Sequence, residues 1–142
     1  MVLTEEGGQR LVRTPTFHVF EMFKGHQDAR LVPAELRTDE YACGDAAIPA
    51  LSVSASRAAD GELLVTLCNL DPGRELPLSC EVRGQELSRA GGRVLTGPEI
   101  TSHNTFAAPV AVKPAALSLP APVAGRIEIR VPPRSVVSLC MA

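Results

Sequence analysis

Tryptophan is absent from this chain and tyrosine occurs once, as Tyr41. A module that binds sugars by itself usually needs flat aromatic platforms with polar tips, so the composition disfavours that class. Long apolar runs are missing too. None approaches the roughly 18 residues that a membrane-spanning helix requires. The N-terminal stretch MVLTEEGGQRLVR is acidic early and has no continuous apolar core, unlike a secretory leader. The expectation is a cytoplasmic protein with no membrane partner. Charge of one sign is also lacking, with 14 Lys and Arg against 16 Asp and Glu. The basic residues are scattered singly, which gives no general pull toward nucleic acid. Four cysteines are present, but no pair has the C-x-x-C spacing of a zinc or redox site. Cys68, Cys80 and Cys140 fall in apparent strands, as small buried residues do, and Cys43 falls in an apparent loop. All four are expected to stay reduced.

What the chain does have is a concentration of phenylalanine. Three of its four lie in TPTFHVFEMFKGHQD, residues 14–28. Thr14 suits an N-cap and Pro15 suits the first helical position, where no backbone N–H is needed. Gly25 is placed to stop the helix in a left-handed conformation. Between these ends Phe17, Val19, Phe20, Met22 and Phe23 cover well over half of the circumference, and only His18 and Glu21 mark a polar stripe. A helix this apolar has to be covered by something large. Two covers are compatible with the pattern: the protein's own sheet, or a domain that is missing here.

Elsewhere the texture is alternating. Residues 2–13 read as a strand, a turn at Gly7-Gly8, and a return strand. Leu51, Val53 and Ala55 alternate with serines, Asp60-Gly61 marks a tight turn, and Leu63, Val65 and Leu67 follow, giving the clearest hairpin. Asp71-Pro72-Gly73 leads to a strand with Leu76, Leu78, Cys80 and Val82 on one face. Gly91-Gly92 introduces a short strand through Val94 and Leu95. The proline-rich residues 97–123 read as an extended excursion with a short strand around Thr105–Phe106. Ile127, Ile129 and Val131, a Pro132-Pro133 corner, and Val136 to Leu139 end the chain. Short strands with Gly/Pro punctuation predict a mainly β fold, an antiparallel β-sandwich with Greek-key or jelly-roll connections, preceded by one short helix.

No constellation announces an active site. His18 and His26 are eight residues apart with Gly25 between them, so they lack the i,i+4 spacing of metal-binding helices. His103, between Ser102 and Asn104, cannot form a dyad with its neighbour, and local hydrogen bonds suit that loop better. Asp39-Glu40, Asp60/Glu62 and Glu81/Glu86 lie near turns or on outward strand faces, where carboxylates are usually solvated. Nothing makes them converge across a cleft as a glycosidase pair would. The residues therefore point to no catalytic group, cofactor or metal.

The words TPTFHVFEMFKGHQDA, IPALSVSAS, LCNLDP, HNTF, AVKPAA and PPRSVVSL occur in this order. Together they resemble the C-terminal part of glycoside hydrolase family 51 α-L-arabinofuranosidases, from about Leu3 to Leu139. The resemblance implies a retaining parent enzyme that removes terminal α-L-arabinofuranosyl residues from arabinan or arabinoxylan, in L-arabinose metabolism. Such an enzyme is built from a (β/α)8 barrel followed by a jelly-roll sandwich. Residues 1–27 would then be the end of the barrel's last strand and helix, and residues 28–142 the sandwich. Phe17, Phe20 and Phe23 would dock on the barrel wall. The family's catalytic glutamates lie on earlier barrel strands, so none is carried over and the chain alone is expected to be inactive. It would be a truncated gene product or a piece of a longer protein, would meet arabinose-containing saccharides only through its parent, and is compatible with a homo-oligomer. The alternative class is a stand-alone carbohydrate-binding or protein-interaction sandwich.

Overall fold

A computed structural model describes all 142 residues. The chain forms twelve strands and one α-helix. Val2–Thr4 (β1) and Leu11–Arg13 (β2) form an antiparallel hairpin around Gly7 and Gly8, both at positive φ. The helix Pro15–Phe23 (α1) follows, continued by a 3-10 turn over Lys24–His26. Then come β3 (Arg30–Leu31), β4 (Glu40–Cys43), β5 (Ala46–Pro49), β6 (Leu51–Arg57), β7 (Leu63–Asn69) and β8 (Leu76–Glu81). The remainder is β9 (Ala90–Leu95), β10 (Ala115–Leu117), β11 (Arg126–Val131) and β12 (Val136–Met141).

The main sheet has the order β10-β9-β12-β7-β6-β3, and β8 pairs with β11 in a second layer. Three antiparallel pairings nest inside one another: β7 with β12, β8 with β11, and β9 with β10. This is a long hairpin rolled onto itself, the jelly-roll arrangement that the turn spacing predicts. The alternation of each strand follows from it. Leu63, Val65 and Leu67 of β7 meet Val137, Leu139 and Met141 of β12, and Leu76, Ile127, Ile129 and Val131 of the second layer, in one buried cluster. Burying such side chains contributes roughly 1.5–3 kcal/mol each, and this cluster is the main core.

β7 is buried on both faces. Its outer residues Leu64 and Thr66 would face water in a bare sandwich. Instead α1 and the 3-10 turn lie over this face and extend toward β9, where Met22 packs with Leu95 and with Val112 from the loop after β9. The helix therefore has the protein's own sheet as one of its covers.

Several local expectations are corrected. Gly25 does not take the left-handed conformation; the turn continues as a 3-10 helix, and the first positive φ after it belongs to Asp28, at 59°. Glycine at 25 leaves room for Leu64, because a Cβ there would stand 2.9 Å from Leu64 Cδ2 and that side chain would have to shift. Cys43 ends β4 rather than lying in a loop, and Cys140 is exposed on the outer side of β12. No strand forms at Thr105–Phe106; the strand of that excursion is β10, because Ala115–Leu117 can pair with the free edge of β9 and the earlier segment cannot. β9 begins at Ala90 and takes in both glycines. The β4–β5 hairpin, turning at Gly44 with φ 60°, has no alternation that the sequence reading used.

Candidate functional site

The helix is the natural place to begin, because its two sides meet different surroundings. Thr14 caps it: the Phe17 N–H donates to Thr14 Oγ1 (3.3 Å), and Thr14 Oγ1 donates to Met1 O (2.6 Å). The cap thus ties the helix to β1 of the hairpin. At 100° per residue, His18 and Met22 share one face, and they are the two buried residues of the helix, at 9% and 5% exposure. Phe20 points to the opposite side and is 61% exposed. Phe17 and Phe23 flank it and are half-buried. Part of the polar stripe thus faces inward and part of the apolar arc faces outward, the reverse of the usual amphipathic rule.

Inward polarity is tolerated because the polar groups are paired. His18 Nδ1 lies 3.4 Å from Glu21 Oε2, and Arg93 of β9 stands 3.6 Å from the other Glu21 oxygen. The His18 hydrogen bond, helped by the Arg93 charge, holds the Glu21 carboxyl below its ordinary range. At the helix exit, His26 bridges to the sheet: Nδ1 is 2.7 Å from Ser56 Oγ and Nε2 is 2.9 Å from Thr66 Oγ1. Burial pushes the His26 imidazole below its ordinary value. Both histidines are therefore structural fasteners. No group of three His, Cys, Asp or Glu side chains is placed to hold a metal ion.

The carboxylates do not converge. Asp60 accepts the Glu62 N–H (3.0 Å) at its turn, and Asp39 stands 3.6 Å from Arg74. Glu81 lines an open depression with Arg83 and Glu86, but it is paired with Arg83 and Arg126, each at 2.9 Å. The Arg83 hydrogen bond and then that of Arg126 lower its pKa, whereas a glycosidic acid has to be raised. The His103 loop is held locally as expected, with His103 Nδ1 2.8 Å from Thr101 O and the Glu99 N–H donating to Ser102 Oγ.

Sequence reading missed the three residues that organise the loops. Asn104, 1% exposed, donates to Arg13 O and Val112 O (2.8 Å each) and accepts the Val112 N–H at 2.7 Å. Asn69 donates to the carbonyls of Arg74, Val131 and Pro132 and accepts the Asp71 N–H. Arg134 donates to the carbonyls of Gly97, Pro72 and Pro98. The signal was present: Asn69, Asn104 and Arg134 sit inside LCNLDP, HNTF and PPRSVVSL, three of the words that carry the family resemblance.

Comparison with known proteins agrees with that resemblance. The family model described as the alpha-L-arabinofuranosidase C-terminal domain matches residues 1–135. A Bacteroides ovatus protein described as an intracellular exo-alpha-L-arabinofuranosidase is 31% identical over 140 residues, which is 98% of this chain and 27% of that protein. The crystal structure of a family 51 arabinofuranosidase from Xanthomonas axonopodis pv. citri superposes with a TM-score of 0.94 at 37% identity, over all of this chain and 28% of that one. A family 51 enzyme from Thermotoga petrophila, 21% identical over 95% of this chain and 30% of its own, has a TM-score of 0.79 and shares the fold. The chain thus spans little more than a quarter of the length of these relatives.

Proposed function

The chain belongs to the α-L-arabinofuranosidase C-terminal domain family, and from that premise we propose that it is the accessory β-sandwich of an α-L-arabinofuranosidase, docked through Phe17, Phe20 and Phe23 on the wall of a catalytic (β/α)8 barrel. The parent reaction on this reading is retaining hydrolysis of terminal α-L-arabinofuranosyl residues from arabinan or arabinoxylan. Residues 1–27 are assigned to the end of the barrel and residues 28–142 to the sandwich. The description of the Bacteroides relative as intracellular supports a cytoplasmic location, and no helix of this chain is long and apolar enough to cross a membrane.

The observation that carries the docking reading is the two-sided helix. His18 and Met22 already fasten it to the sheet, so Phe20 contributes nothing to that contact and costs exposed apolar area. Covering a phenylalanine fully is worth roughly 1.5–3 kcal/mol, of which Phe20 has the most still to gain. Single exposed apolar residues are ordinary, but an exposed phenylalanine flanked by two half-exposed ones is a patch.

An aryl α-L-arabinofuranoside assay tests the non-catalytic reading: the 142-residue chain releases no aryl alcohol above background, and robust turnover would overturn it. Affinity electrophoresis through arabinan and arabinoxylan gels separates it from the alternative of a stand-alone carbohydrate-binding module. Unretarded migration is expected, and clear retardation favours the module.

A further inference from the structure

Of the large apolar side chains that face solvent, all but Leu31, Ile48, Leu70 and Val123 stand on three adjoining pieces: the β1–β2 hairpin, helix α1 and the loop over residues 97–112. That loop has no regular structure over most of its length, yet it presents Ile100 (77% exposed) and Val110 (62% exposed) with a run of exposed alanine and proline around the latter. A loop that serves only as a connection is normally polar and loosely held. This one is neither. Its far end is anchored under the helix by Val112 against Met22. Its middle is anchored by Asn104, which bonds the Arg13 carbonyl immediately before the helix cap. Its near end is held by the Arg134 guanidinium on the carbonyls of Gly97 and Pro98. Two arginines of the hairpin strap the same elements together, Arg13 over the Phe17 ring and Arg10 over the Phe106 ring, each at 5.1 Å.

We propose that the loop over residues 97–112 is a second docking arm, which with the Phe20 face of α1 forms one preorganised surface for the catalytic domain, and that Asn104 is the positioning residue that fixes the two arms relative to each other. The inference rests on the docking reading above and names the rest of its surface. The occupant is the catalytic domain rather than a second copy because of where the tether lies. The matched family is described as a C-terminal domain, and the relatives extend well beyond the matched segment, so their larger remaining part is the neighbour considered. Met1 O is the acceptor for both the Thr14 N–H and the Thr14 hydroxyl. The hairpin touches α1 through Thr14 and the loop through Arg13 O on Asn104 and Arg10 over Phe106, so a domain tethered there would be held beside both arms at high effective concentration. Fixing the arms before contact lowers the entropy lost on docking.

Hydroxyl-radical footprinting reads side-chain accessibility directly. The isolated chain is compared with a full-length Xanthomonas enzyme in which this chain replaces the corresponding segment. Oxidation at Phe20, Ile100 and Val110 is expected to fall several-fold together in the full-length protein, while Leu31 and Val123 stay unchanged. Protection of Phe20 with Ile100 and Val110 still fully reactive overturns the second arm and leaves the helix docking intact. Reactive Phe20 in the full-length protein overturns both. The Asn104→Ala chain in the same setting is expected to keep Phe20 protected and to lose protection at Val110, and unchanged protection there removes Asn104 from the role. If the exchange gives no folded enzyme, this chain is co-expressed with the remaining sequence of the relative. Co-purification that survives in wild type and weakens at least tenfold in the Ile100→Ser, Val110→Ser double variant supports the arm. No association, or association indifferent to the double variant, overturns it. Sedimentation velocity on the isolated chain closes the remaining alternative, since a stable dimer abolished by the same double variant assigns the loop to a second copy instead.

Discussion

Asn104 and His26 show how single polar residues hold this fold where hydrophobic packing cannot. Asn104 satisfies two carbonyls and one N–H in a place with almost no water. Removing it strands all three groups, and each stranded group costs about 1–3 kcal/mol. Asn104→Ala is therefore expected to lose at least about 3 kcal/mol in urea unfolding of the isolated chain, against less than about 0.5 kcal/mol for an exposed control such as Ser118→Ala. His26 sets the upper limb of the pH dependence. Its folded pKa lies below the ordinary value, so near pH 6.5 the unfolded chain binds protons that the folded chain refuses. Stability is full above about pH 6.5 and falls as the pH drops through that value. Glu21 and Asp71, whose folded values are also lowered, chiefly by hydrogen bonds from His18 and Arg74, add a second loss below about pH 4. Thermal melts from pH 8 to 5 should show the first loss in wild type, and His26→Gln should flatten it; a wild-type melting temperature that is constant across this range contradicts the assignment.

Helix α1 divides its labour by face. Met22→Ala leaves a hole among Leu95, Val112 and Val136 and is expected to cost about 2–4 kcal/mol. Phe20→Ser touches nothing that is buried and should stay within about 0.5 kcal/mol of wild type in the isolated chain. Equal losses in denaturant titrations would mean that both faces are packed and would remove the docking patch. This division is also where the sequence stopped being legible. Alternation exposed β6, β8, β11 and β12, because each has one face on the core, while β7, buried on both faces, stood out through Leu63, Val65 and Leu67 beside the Asp60-Gly61 turn. The cap and the helix span followed from Thr14 and Pro15. What the helix faced did not follow, because five apolar residues on more than half a cylinder satisfy two covers equally well. His18 reads as part of a polar stripe whose partners the pattern does not name; they are Glu21 and, through it, Arg93 of β9, far away in the sequence. β4 and β5 were missed for a simpler reason. They lie outside the two main layers and are largely exposed, so burial imposed no period on them.

The assembled molecule is a rolled long hairpin with a helix clamped across its outer face. The nested pairing explains why loops at one end carry so many buried polar contacts: each crossing between layers leaves backbone groups that no strand can satisfy, so Asn69 and Arg134 donate to the carbonyls and Asp71 accepts the N–H groups of Gly73 and Arg74. The domain is therefore well braced as it stands, and what it leaves open is the outward side of α1 with its neighbouring hairpin and loop. A supporting domain whose apolar face is meant for a neighbour should behave as a folded protein with one sticky side. The measurement that bears on this most directly is a titration of 8-anilinonaphthalene-1-sulfonate against the folded chain and its Phe20→Ser variant at matched melting temperature. Strong fluorescence in wild type that falls several-fold in the variant is the predicted result, whereas a wild-type chain that leaves the dye dark, or a signal untouched by the substitution, would contradict it.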